Sequence, residues 1–158
     1  MVYMSHDMTF VINSNAPETT FALGVKLGAA LKPCDVIELH GDLGSGKTQL
    51  VRGIAKGANS SDEVSSPSFT ISKIYQTPDF EIHHYDFYRL GTELGILEEE
   101  LQQSVDSSDV VTIVEWLDLS IIAPNRLTIN YTTTGENSRK IEFIAFGQRA
   151  NQIMEQIK

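Results

Sequence analysis

Residues 40–50 read HGDLGSGKTQL. The spacing Gly41-x4-Gly46-Lys47-Thr48 matches the phosphate-binding loop pattern G-x-x-x-x-G-K-[ST]. This feature constrains the fold most, because such a loop works only between a buried strand and the start of a helix. Its glycines let the backbone curl so that successive N–H groups face an anion. The helix adds the positive end of its dipole. Both flanks are legible. Residues 36–40 (VIELH) read as a strand. Residues 47–57 carry Leu50, Ile54 and Ala55 at helical spacing, with Gly57 as a stop. The candidate phosphate cradle is therefore Gly41, Asp42, Leu43, Gly44, Ser45, Gly46, Lys47, Thr48 and Gln49. In such a loop the lysine reaches the β- and γ-phosphates and the Thr48 hydroxyl completes a magnesium shell.

The rest of the chain alternates in a way that predicts one α/β domain, residues 1–158, with a mixed parallel and antiparallel sheet flanked by helices. Residues 8–13 read as a short strand. Ser14, Asn15, Pro17 and Glu18 carry helix-start chemistry for a helix running to about Leu31, with Phe21, Val25, Gly28 and Leu31 near one face. Residues 59–66 are polar and turn-rich. Residues 69–75 and 81–89 read as strands joined across Thr77, Pro78 and Asp79. Residues 91–105 predict a helix, 110–114 (VVTIV) a buried strand, and 118–122 a short helix. Strands over 126–132 and 139–146 flank Gly135 as a hairpin, and 148–157 predicts a final helix.

A phosphate loop alone only binds. Phosphoryl transfer or hydrolysis also requires magnesium held by an acid, often at the end of a neighbouring buried strand. Glu115 follows the apolar run 110–114 and precedes Trp116, which places it at the carboxyl edge of the sheet beside the phosphates; the bland alternative is a surface acid. Asp86 is the second candidate. Strand alternation sets His84, Asp86 and Tyr88 on one face and His83, Tyr85 and Phe87 on the other. A buried strand carboxylate is costly unless paired or metal-linked, so Asp86 is either a structural acceptor or a group that meets a magnesium-bound or attacking water. His83 and His84 point to opposite faces and cannot easily share a transition metal. Ser66, Pro67 and Ser68 read as an ordinary turn whose hydroxyls lie where a γ-phosphate could be sensed. Glu98, Glu99 and Glu100 read as a solvated helix face.

Composition narrows the partners. The net charge is -9, from 12 Lys and Arg against 21 Asp and Glu, so tight autonomous binding to a nucleic-acid backbone is not expected. The single cysteine, Cys34, excludes an intramolecular disulfide and is expected as a partly buried structural thiol. The first ten residues show no signal-peptide pattern, and no window reaches the roughly 18 apolar residues of a membrane span. A soluble, cytoplasmic protein is expected.

Three functional classes share the phosphate loop. A guanine-nucleotide switch is disfavoured because no N-K-x-D segment occurs in the chain. A small-molecule kinase needs an acceptor pocket and cations on a lid. The chain has five arginines, Arg52, Arg89, Arg126, Arg139 and Arg149, and no arginine-rich stretch. An ATP-binding assembly signal that barely hydrolyses remains open beside an ATPase.

HGDLGSGKTQLVRG, SSPSFTI, HHYDFYRL and IVEWLD occur in the order and approximate spacing of the bacterial TsaE (YjeE) family, and the resemblance spans roughly residues 10–144. The resemblance implies a small P-loop ATPase of tRNA N6-threonylcarbamoyladenosine synthesis, using ATP and Mg2+. It implies metal or catalytic duty for Thr48, Asp86 and Glu115, with Trp116 beside Glu115 and a switch-like segment at Ser66, Pro67 and Ser68. The implied partner is the TsaB–TsaD complex, which performs the transfer, while the ATPase permits repeated turnover and meets tRNA only indirectly. Three positions depart from the family pattern. Ser68 replaces a threonine, Leu117 stands where many members have proline, and Glu136 follows Gly135 where many have arginine, leaving Arg139 as the nearest base.

Overall fold

The strand–loop–helix unit around the glycine-rich segment forms as β2 (Val36–His40) and α2 (Lys47–Gly57) in the computed structural model, which describes residues 8–42, 44, 46–67, 70–90 and 94–158. Around it stand β1 (Thr9–Ser14), α1 (Pro17–Ala30), β3 (Ser72–Gln76), β4 (Glu81–Asp86), α3 (Leu97–Asp106), β5 (Val110–Glu115), β6 (Arg126–Thr133), β7 (Arg139–Phe146) and α4 (Gln148–Ile157). The strands make one sheet in the order β1-β7-β6-β2-β5-β4-β3. The centre is parallel: β2 lies between β5 and β6, and β4 extends the sheet beside β5. The outer pairs β1–β7, β6–β7 and β3–β4 are antiparallel. This is the expected mixed sheet. The central strands are buried on both faces, which is why β5 reads as a nearly unbroken apolar run.

One face carries α1, α2 and α4. Leu27, Leu50, Ile54 and Met154 pack there on Ile37, Leu39, Ile113 and Phe143. The opposite face carries α3 over a smaller cluster that joins Leu101 to Val36, Tyr85, Val114 and Leu119. Every strand alternates between these two faces, so the odd positions Val111 and Ile113 of β5, and then Glu115, look toward α2.

Helices α1 and α2 meet through glycines. A Cβ at Gly28 would lie 2.1 Å from the Ile54 carbonyl oxygen, and one at Gly53 2.3 Å from that of Phe21. Backbone thus packs on backbone, and the buried stripe of α1 is Thr20, Leu23, Gly24, Leu27 and Gly28. Phe21 and Val25, expected on that face, are only half-buried because they flank the α2 contact.

Several boundaries shift for local reasons. Strand β4 ends at Asp86 instead of Arg89, because the Asp86 carboxylate accepts the Tyr88 N–H at 3.0 Å and folds the chain into a turn. Strand β3 begins at Ser72, after Ile71 adopts a left-handed φ of 69° and donates its N–H to the Pro67 carbonyl. Helix α3 begins at Leu97, because Gly95 sits at φ 54° in the preceding turn; Gly91, where the helix was expected to start, lies outside the described residues. The expected helix at 118–122 is a single turn, closed by the Ala123 N–H on the Leu119 carbonyl. Cys34 is exposed, not partly buried: its φ of 78° lies in a turn before β2, and its thiol meets the Ser107 carbonyl at 3.6 Å. Among the described residues no helix is long and apolar enough to cross a membrane.

Candidate nucleotide-binding site

The three parallel strands β2, β4 and β5 end together, and their ends open on a cavity of about 420 Å³. That volume lies in the usual range of roughly 300–1,000 Å³ for small-molecule sites. Strand β2 runs out into the glycine loop. Gly44 and Gly46 have φ of 76° and 103°, and a Cβ at either would meet nothing within 4 Å. Glycine is needed there for backbone conformation, not for space. Gly46 is the residue before α2, so the helix starts directly at Lys47 and its first N–H groups point toward the cavity. Leu43 and Ser45 lie outside the described residues.

Gly44, Gly46, Lys47, Thr48 and Gln49 all line the cavity, while Gly41 and Asp42 adjoin it through Lys47. The Lys47 ammonium is buried, with 6% of the residue exposed. It donates to the Gly41 carbonyl and, at 3.1 Å, to the Asp42 carbonyl. It also lies 4.6 Å from the centre of the Trp116 ring, a cation–π contact. Burial pulls its pKa below the ordinary lysine value, and the charges of Glu115, Asp86 and Asp42 oppose that pull. Trp116 reaches the lysine because its backbone is left-handed, at φ 66°, directly after β5, with its N–H on the Leu39 carbonyl.

Asp86 and Glu115 are the last residues of β4 and β5 and are register partners on these parallel strands. Both line the cavity, and both are buried, at 5% and 3% exposed. Two carboxylates and the Thr48 hydroxyl form a set of hard oxygen donors at the foot of the phosphate loop, which suits magnesium. Ser66 from the 59–67 segment also lines the cavity, while Ser68 lies outside the described residues. His83 and His84 separate as expected: His83 faces Ser104 at 3.1 Å and His84 faces Glu115 at 2.7 Å.

Some of the site was not foreseen. The far wall is built from Ser14, Ala16, Pro17 and Thr20 at the entry to α1, from Asn137 of the β6–β7 turn and from Arg139 at the start of β7. The Arg139 guanidinium reaches the Gly44 carbonyl at 3.3 Å, so this late turn folds over the phosphate loop. Arg52, one turn along α2, also lines the cavity and donates to the Val64 carbonyl at 3.3 Å. The sequence signals for this wall were the turn chemistry around Gly135, with Arg139 as its nearest base, and the helix start at residues 14–18. Glu38 was missed altogether. It is buried on the opposite face of β2, where its carboxylate accepts from Arg126 at 2.9 Å, the Leu119 N–H at 2.6 Å and Thr128 at 3.1 Å, and meets His40 at 2.8 Å.

A strand, glycine loop and helix at the centre of a mixed sheet, with two carboxylates at the neighbouring strand ends, define a P-loop protein of the nucleotide-binding kind. The family model described as threonylcarbamoyl adenosine biosynthesis protein TsaE matches residues 14–141. The tRNA threonylcarbamoyladenosine biosynthesis protein TsaE of Bacillus subtilis is 36% identical over 146 residues, covering 89% of each chain. Its counterpart in Rickettsia felis is 32% identical, covering 88% of this chain and 82% of the relative. The crystal structure of YdiB from Bacillus subtilis superposes with a TM-score of 0.75 at 30% identity, covering 97% of this chain and 96% of that one. The chain belongs to the TsaE family of tRNA threonylcarbamoyladenosine biosynthesis.

Proposed function

We propose that this protein is a magnesium-dependent ATPase that acts on the TsaB–TsaD complex and permits its repeated turnover in tRNA threonylcarbamoyladenosine synthesis. The observation that carries the reading is the meeting of Lys47, Thr48, Asp86 and Glu115 at one cavity. Lys47 serves the β- and γ-phosphates, releasing the loop carbonyls it now contacts. The N–H groups from Gly41 to Gln49 cradle the triphosphate. Thr48, Glu115 and Asp86 would hold Mg2+, which would supply charge neutralisation for the triphosphate. Glu115 faces the charge of Lys47, and Asp86 would orient a water at the metal site. Trp116 packs on the Lys47 ammonium and restricts its path. The wall at Ala16 and Pro17 takes the apolar base.

The small-molecule kinase is the competing reading. Arg52 and Arg139 do line the cavity, but the loop carbonyls and Val64 engage them, and their segments form no arginine-rich lid. Phosphate release from ATP is to be measured with and without TsaB and TsaD from the same source. Release that rises several-fold with the partners is expected. Release that is indifferent to them removes the accessory-motor role, and a phosphorylated metabolite in place of free phosphate establishes the kinase.

A further inference from the structure

His84 is completely buried, at 0% exposed, and neither phosphate nor metal duty accounts for it. Its Nε2 lies 2.7 Å from Oε2 of Glu115 and its Nδ1 lies 3.4 Å from the Tyr75 hydroxyl. Tyr75, also buried, donates that hydroxyl to the Ser65 carbonyl at 3.0 Å. Ser65 precedes Ser66, which lines the cavity. A line of polar groups, each within hydrogen-bonding reach of the next, therefore runs from the 65–67 segment, through β3 and β4, to the acid at the end of β5.

A carboxylate only accepts, so His84 presents Nε2–H to Glu115, and in a neutral ring Nδ1 is then an acceptor. Tyr75 has one hydroxyl hydrogen and two acceptors in reach, the Ser65 carbonyl and His84 Nδ1. While Ser65 sits at 3.0 Å the hydrogen is drawn to it. If the segment moves away, the hydrogen turns to Nδ1, and successive hydrogen bonds along such a chain strengthen one another. Oε2 of Glu115 is then held more firmly, and the carboxylate is oriented toward the cavity.

We propose that His84 is a positioning residue for Glu115, and that Tyr75 makes its grip depend on where the 65–67 segment lies. The inference rests on the reading that Glu115 serves the metal. It assigns no proton transfer to His84 and acts only through Glu115. Partners that orient a metal-binding carboxylate commonly change metal affinity or activity by about 10–100-fold when removed.

The test compares His84→Leu, His84→Gln and Tyr75→Phe in the full chain, with the partner complex present for turnover. Trp116, the single tryptophan, reports nucleotide binding by fluorescence. Gln places an amide N–H near the Nε2 position, Leu keeps bulk without a donor, and Phe removes one oxygen. His84→Leu is expected to bind ATP normally without Mg2+, to lose the Mg2+-dependent gain in affinity, and to lower kcat about 100-fold. His84→Gln is expected to recover most of both properties. Tyr75→Phe is expected to lower kcat about three- to tenfold with KM unchanged. Equal losses in His84→Leu and His84→Gln, together with wild-type behaviour of Tyr75→Phe, would reduce His84 to core packing and overturn the proposal. If His84→Leu does not fold, Tyr75→Phe alone decides. If the wild-type protein releases no phosphate, the ATPase reading fails, yet the Mg2+-dependent affinity still tests His84.

Discussion

At the residue scale, the site concentrates charge that would be unstable apart. Lys47, Asp86 and Glu115 are each nearly inaccessible, and the attraction of the two carboxylates for Lys47 offsets only part of its cost of leaving water. Lys47→Ala is expected to abolish hydrolysis, and Glu115→Ala to impair Mg2+-dependent turnover more than nucleotide binding. Each lost contact to developing charge costs roughly two to three decades in rate. If Asp86→Asn keeps wild-type turnover while Glu115→Ala is inactive, metal duty rests on Glu115 and Asp86 serves the Tyr88 turn.

Glu38 is the structural counterpart on the far face. Burial works to raise its pKa, but hydrogen bonds from His40 and the Leu119 N–H, with the charge of Arg126, outweigh it and hold the carboxyl below its ordinary value. A depressed carboxylate pKa contributes stability that is complete above the unfolded value, about 4.3, and fades as pH falls through the lower folded one. Glu38→Gln leaves Arg126 without its partner and should cost about 3 kcal/mol at neutral pH. Urea unfolding should show that difference shrinking below about pH 4. A constant gap across that range would show that Glu38 contributes by shape alone. Because Glu38 also holds the Leu119 N–H, it anchors the segment that leaves Trp116.

At the element scale, α1 and α2 dock by backbone contact. Gly28→Ala would push a methyl to 2.1 Å from the Ile54 carbonyl oxygen, with no flexible side chain available to yield. The helices must separate, at a cost of roughly 3 kcal/mol, seen as a Tm lower by about 6–12 °C in a chain of this size. Since α2 carries Lys47 and Thr48 at its start, nucleotide affinity should fall with stability. Gly44→Ala differs: space is open, but φ is 76°, so the penalty is conformational and local to the phosphate loop. Calorimetry and ATP titration on the two variants separate these effects; equal melting losses would refute the distinction.

For the whole molecule, a net charge of -9 sets what the protein approaches unaided. It should show no measurable retention of tRNA alone at physiological salt. Retention is expected only when the partner complex supplies the basic surface. Gel-shift titrations with tRNA, with and without TsaB–TsaD, check this, and tight binding by the isolated chain would contradict it.

Much of this protein was legible along one dimension. Strand β2, helix α2 and helix α4 appear where their spacing predicts, because glycine, apolar period and helix-start chemistry are local signals. The phosphate loop, Glu115 and Asp86 could be named because each sits at a strand end marked by its own neighbours. What neighbours in sequence cannot encode is which strand lies beside which. The register that pairs Asp86 with Glu115, the 31-residue step from His84 to Glu115, the burial of Glu38 against Arg126 and the fold of Arg139 over Gly44 all arise from the sheet order. The sequence alone determined where the phosphate-loop pattern lies, since that pattern requires only contiguous backbone in a set conformation. The tertiary structure alone decided which side chains surround the grip, since burial of both sheet faces brings distant strand ends to a single edge.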